Sequence, residues 1–104
     1  MVRTELYFGM SRAGGNPVTE GEWEEFMAKE VTPRFPSGLT VVSVRGQWRD
    51  SSGTVAKEPS KVLVIFHESL KTDNDKFEAI RSAYKKQFGQ ESVTRATSPA
   101  RVSF

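Results

Sequence analysis

The chain has 104 residues, 37% of them apolar and 27% charged, with fifteen Lys or Arg against thirteen Asp or Glu and a formal charge of +2. That balance supplies one modest core, eleven of whose candidate members are aromatic, over a single domain spanning residues 1–104, and it argues against a disordered tail, a collagen-like repeat or a coiled coil. No cysteine and a single histidine exclude disulfides, thiolate zinc sites, a Cys nucleophile and a multi-histidine metal cage, so neither a metal nor a cofactor is expected.

No apolar run approaches the roughly 18 residues of a membrane span, and MVRTELYFGM lacks the apolar stretch and small-residue cleavage site of a leader. The expectation is a cytoplasmic chain with no membrane segment. Charge is segregated: the first thirty residues hold three basic and six acidic side chains, and the remainder twelve and seven. That dipole fits head-to-tail contacts or an anionic partner, but by itself it is a solvated surface.

In chain order, Thr4 to Met10 alternates Leu6, Phe8 and Met10 against Glu5, Tyr7 and Gly9, the period of a strand. The Ser11–Asn16 loop, SRAGGN, follows and leads into Thr19 and Glu22, whose spacing is that of a capping box. A helix should start there, with Trp23, Phe26, Met27 and Val31 on one face, and stop at Pro33 and Pro36-Ser37-Gly38. Leu39 to Trp48 reads as a second strand, Arg49 to Gly53 as a turn, and Ser60 to His67 as a third strand paired antiparallel with the second. Thr72 and Asp75 repeat the capping-box spacing and open a helix carrying Phe77, Ile80, Tyr84 and Phe88 on one face, with Gly89 as its stop. Ser92 to Ala96 is a short last strand.

Strand, helix, strand, strand, helix, strand is the α+β, ferredoxin-like βαββαβ order: a four-stranded antiparallel sheet with two helices on one face and the first and third strands in the middle. Val62 to Phe66 is apolar at every position, where a strand with one wet face would alternate. Helices cover one face only. The second cover is therefore expected to be another copy of the chain, as in a dimeric α+β barrel, or a ligand in a partly apolar cavity.

His67 is the candidate acid or base, at the end of the third strand and on the same side as Lys61, Leu63 and Ile65. If that side is the open face, Tyr7 and Arg45 or Gln47 join it over an apolar floor suited to a small anionic or aromatic molecule. The bland alternative is a strand-end histidine bonded to a loop carbonyl. Arg12 adds charge to a loop that precedes a helix, where backbone amides can hold an anion, yet neither a Walker loop nor a dinucleotide fingerprint is present. Trp48 closes the second strand beside a turn as a lid over a pocket, an interface anchor or core, and Arg49 with Asp50 forms a surface pair or a turn cap. Lys61 to Phe66 lacks the glycine and aromatics of an RNA-recognition module, so nucleic acid is not an expected partner.

Taken together, Leu6 to Arg12, Val31 to Pro36, Gly38 to Val41, Gly46 to Asp50, Ser60 to Leu63 and Phe88 to Val93 resemble a bacterial family catalogued as domain of unknown function 3574, over nearly the whole chain. Many members of that family look like exported or lipid-anchored proteins, a pattern from which this cysteine-free chain departs. The family implies no activity. The resemblance does draw attention to Arg12, Arg34, Gln47, Trp48, Arg49 and Gln90, polar beyond what core packing needs. Three readings follow: a homodimeric domain binding a small molecule or a protein at its open sheet face; a cofactor-independent enzyme acting on a carbonyl or aromatic substrate through His67; and a phage or host-defence interaction protein.

Overall fold

Leu6 and Phe8 are fully buried while Tyr7 between them is exposed, so the first strand, β1 (Val2–Gly9), separates a covered face from an open one. The computed structural model describes residues 1–12 and 15–104. After β1 come α1 (Glu20–Phe26), continued by a wider π turn over Met27–Val31, then β2 (Thr40–Arg49), β3 (Val55–His67), α2 (Leu70–Phe88) and β4 (Thr94–Pro99). The four strands form one antiparallel sheet in the order β2-β3-β1-β4, the ferredoxin-like α+β arrangement with the first and third strands central.

Thr19 caps α1 as its spacing requires: its side chain accepts from the Glu22 backbone N–H at 3.1 Å, and the Glu22 carboxylate accepts from the Thr19 N–H at 3.0 Å. That backbone bond, with Arg12 beside it, holds the Glu22 carboxyl below its ordinary range. The second helix starts earlier than its Thr72–Asp75 spacing suggests. Ser69 is the cap, accepting from the N–H groups of Lys71 and Thr72, because Ser69 has the extended backbone that a capping hydroxyl needs. Gly89 ends α2 with φ of 65°, a left-handed position that costs a glycine nothing.

The core lies between the sheet and the two helices. Phe8 stacks edge-on against Trp23 of α1 at 5.1 Å and Tyr84 of α2 at 4.8 Å, and Phe26 meets Tyr84 at 5.1 Å, so one cluster joins β1 to both helices. Each such pair is worth about 0.5–1.5 kcal/mol beyond the area it buries. Further along, Phe35 stacks on Phe77 at 4.7 Å, and Arg34 donates to the Glu30 carbonyl at 2.7 Å and to its carboxylate at 3.0 Å. The Thr32–Pro36 stretch is thus a helix terminus docked on α2, and Arg34 serves it structurally.

The third strand is longer than the sequence suggests. It begins at Val55, five residues before Ser60, and with β2 forms a two-stranded arm past the end of β1, where Gly9 pairs with Ser60. Pro59 fits inside this strand because its carbonyl accepts from Met10 N–H at 3.0 Å beyond the last β1 pair, on the side where no further strand needs the missing donor. Asp50 closes the arm, accepting from Ser52 N–H, Ser52 Oγ and Thr54 N–H at 2.9, 2.6 and 3.0 Å; the Ser52 hydroxyl is the main reason that its carboxyl stays below its usual range.

Candidate functional site

On the open face, register sets two glycines on either side of β3. Gly9 of β1 lies opposite Ser60 of β3, and Gly46 of β2 lies opposite Glu58. A Cβ on Gly9 would meet Glu58 Oε1 at 2.6 Å, and one on Gly46 would meet Ser60 Oγ at 2.9 Å. Neither position has room for a side chain while its neighbour stays in place, so the glycines let Glu58 and Ser60 lie flat over the backbone and leave a depression above them.

Walls rise around that floor. Tyr7 and Trp48 stand on the same face at either end, and the carboxylate of Glu58 between them accepts from Trp48 Nε1 at 3.0 Å and from the Ser11 backbone N–H at 3.1 Å. Arg12 forms another wall, with its guanidinium 5.1 Å above the Phe88 ring and ion-paired to Glu22. The α2–β4 connection contributes Gly89 to Ser92, and the Gln90 amide donates to the Ser11 carbonyl, tying the two loops together. The resulting cavity measures about 740 Å³, within the range of about 300–1,000 Å³ typical of small-molecule sites. Beneath it, the Tyr84 hydroxyl donates to the Gly9 carbonyl at 2.5 Å; burial, and then the negative charge of Glu58, push its pKa upward, so it stays a neutral donor.

Of the residues singled out by sequence, Tyr7, Arg12, Arg45, Gln47 and Trp48 border this cavity, and Gln90 joins them. Arg45 and Gln47 alternate to the other face of β2 and contribute at the rim. Arg49 is exposed near the tip of the arm and does not line it. The expected anion cradle of the Ser11–Asn16 loop centres on Ala13 and Gly14, which lie outside the described residues. Glu58 is what sequence reading missed: starting the third strand at Ser60 left it in the connection after the Arg49 to Gly53 turn, and only the longer β3 assigns it a face.

His67 requires a correction. It faces the helices rather than the open side, 6% exposed, and borders neither this cavity nor a smaller one beside α1. Its Nε2 lies 2.7 Å from Thr4 Oγ1 and its Nδ1 3.0 Å from Asp73 Oδ2, with the ring 4.9 Å from that of Phe77. Hydroxyl, imidazole and carboxylate form a buried tie between β1, β3 and the first turns of α2, out of reach of a substrate on the open face. The histidine and Tyr7 point to opposite sides because Val2, not Tyr7, is its register partner in parity.

The smaller cavity, about 510 Å³, lies where α1 leaves the helix-side face of β2 uncovered. Lys61 in its floor is 6% exposed and donates to both Glu20 carboxylate oxygens at 2.8 and 3.0 Å and to Ser43 Oγ at 2.8 Å, so its charge is fully engaged. Among the described residues no group of three His, Asp or Glu side chains could hold a metal ion, and no helix is long and apolar enough to cross a membrane.

The family described as protein of unknown function (DUF3574) matches residues 3–104. The chain belongs to that family. Among the stretches that carry the family resemblance, Leu6 to Arg12, Gly46 to Asp50 and Phe88 to Val93 are far apart in sequence, and each contributes to the one open-face cavity. No curated protein matches the chain. Two solved structures share its fold: a phage SAM lyase in the apo state, TM-score 0.70 and 19% identity over 93% of this chain and 78% of that one, and a phage SAM lyase in complex with S-methyl-5'-thioadenosine, TM-score 0.71 and 21% identity over 93% and 79%.

Proposed function

We propose that the protein binds a small molecule of nucleoside size in the glycine-floored cavity of its open sheet face. The observation that carries this reading is the convergence of Tyr7, Arg12, Trp48, Glu58 and Gln90, drawn from every quarter of the chain, on one depression with aromatic ends and a polar centre. Core packing gives no reason to keep Trp48 half exposed or to lay a carboxylate over Gly9; a ligand with an aromatic ring and a polar substituent gives a reason for both. A similarly folded protein is known in complex with a thioadenosine, which makes that nucleoside the first probe.

Titration of the purified chain with S-methyl-5'-thioadenosine, read by thermal shift and calorimetry, tests the reading. A ligand specific for the folded state at about a hundred times its Kd adds about 2.7 kcal/mol of apparent stability, a rise of several degrees in Tm. Trp48→Ala should remove most of that rise without lowering the melting temperature of the free protein. No shift with this nucleoside or with adenosine, or an undiminished shift in Trp48→Ala, overturns the reading.

A second observation favours self-association. Away from the cavity the open face presents Val42, Val64 and Phe66 around Val62, and Val42 and Phe66 are each more than two-fifths exposed. A second copy of the chain, sheet against sheet, buries this strip and leaves the cavity at its end accessible.

A further inference from the structure

We infer that the ligand of the open-face cavity carries a positive charge, which Glu58 receives. The inference rests on the reading of that cavity as a small-molecule site and adds the chemical class of its occupant.

Seven of the other twelve Asp and Glu side chains meet cations. Glu5 pairs with Arg3, Glu20 with Lys61, Glu22 with Arg12, Glu25 with Lys29, Glu30 with Arg34, Asp73 with Lys76, and Glu78 with Arg81 and Arg95. Glu24, Glu68, Asp75 and Glu91 lack such a partner but are exposed to water, and half-buried Asp50 is satisfied by three donors of its own turn. Glu58 differs from all of these. It is half-buried, lies over the floor of the open-face cavity, and has no Lys, Arg or His within ion-pair distance among the described residues.

Its two donors, the Trp48 indole N–H and the Ser11 amide, are neutral, and they occupy two of roughly four acceptor sites on the carboxylate. The charge is therefore held in position, partly removed from water and without a cation at ion-pair distance; of the cationic wall residues, Arg12 is ion-paired to Glu22 and lies over the Phe88 ring, and Arg45 reaches only the rim from the other face of β2. A cation entering the cavity meets Glu58 and the indole of Trp48 together, a carboxylate and a π-face being the two groups that best receive a weakly hydrated positive centre. On a nucleoside of the size the cavity accepts, the matching groups are a sulfonium or a quaternary ammonium on the sugar side chain.

The test compares nucleosides that differ at one atom. S-methyl-5'-thioadenosine and its neutral S-ethyl homologue are set against the S,S-dimethylsulfonium derivative, which has the carbon count of the homologue plus a permanent charge. Calorimetry should give the sulfonium roughly tenfold tighter binding than either neutral thioether, the size expected for a partly desolvated charge partner. Glu58→Gln keeps the shape of the side chain and one of its two acceptor oxygens while removing the charge, and should bring the ratio close to one. Gly9→Ala, which pushes the carboxylate off the floor through its flexible end, should do the same if the first variant folds poorly. Equal binding of charged and neutral nucleosides by the native protein, or a preference that survives both substitutions, overturns the inference and leaves the cavity reading in place. If none of the three binds, both fall.

Discussion

Asp73 illustrates how a residue can look functional and be structural. Burial opposes its ionisation, yet the bonds from His67 and Lys76 outweigh that cost and hold its carboxyl below the ordinary carboxylate value. A carboxyl depressed in the folded state stabilises the fold above its unfolded pKa of about 3.9, and this contribution is lost as pH falls through the folded value. Asp73→Asn should therefore cost about 1–3 kcal/mol near pH 7, the usual cost of weakening a buried charge-assisted hydrogen bond. The gap from the native protein should close below about pH 4 in denaturant titrations. A gap that is the same at pH 3 and pH 7 would show that Asp73 does not act as a charged acceptor. The histidine itself was legible as a residue worth attention. Its direction was not, because whether the side of Lys61, Leu63 and Ile65 is open depends on where the helices pack.

Among the elements, α1 depends most on its ends. It is seven residues long before the helix widens into a π turn, closed by Thr32 N–H donating to the Met27 carbonyl at 2.9 Å, so few regular helical bonds hold it. Its capping box therefore matters more than in a long helix. Thr19→Ala should lower stability by about 1 kcal/mol, measured by chemical denaturation, while Thr72→Ala within α2 should cost less because the cap there is Ser69. Equal losses from the two substitutions would contradict the assignment. The apolar spacing of both helices was readable, since Trp23, Phe26, Met27 and Val31, and Phe77, Ile80, Tyr84 and Phe88, are all buried. The full length of β3 was not, because Ala56 to Pro59 has no strong strand signal and its pairing is set by the tightly capped turn at Asp50 and by β2 across the arm.

At the scale of the whole molecule, the helices account for one face of the sheet and leave Val42 and Phe66 exposed on the other. The self-association proposed above gives twice the 11.6 kDa of one chain by light scattering after size exclusion, and Phe66→Glu should return it to the mass of a single chain by burying a charge opposite its own copy. A native protein that runs as a single chain at all accessible concentrations would rule this arrangement out.

The sequence by itself determined the order of elements, the helix faces and the family, because each is written in local periodicity, caps and contiguous motifs. The tertiary structure alone decided which sheet face stays open, that Gly9, Gly46, Trp48 and Gln90 converge on one cavity, and that Glu58 rather than His67 occupies its floor. Those facts depend on strand register and on where the helices dock. A displacement of one residue along β3 would exchange its two faces, and the register around Glu58 comes from the capped turn at Asp50 and the pairing with β2 rather than from the alternation of Ala56 to Pro59 itself.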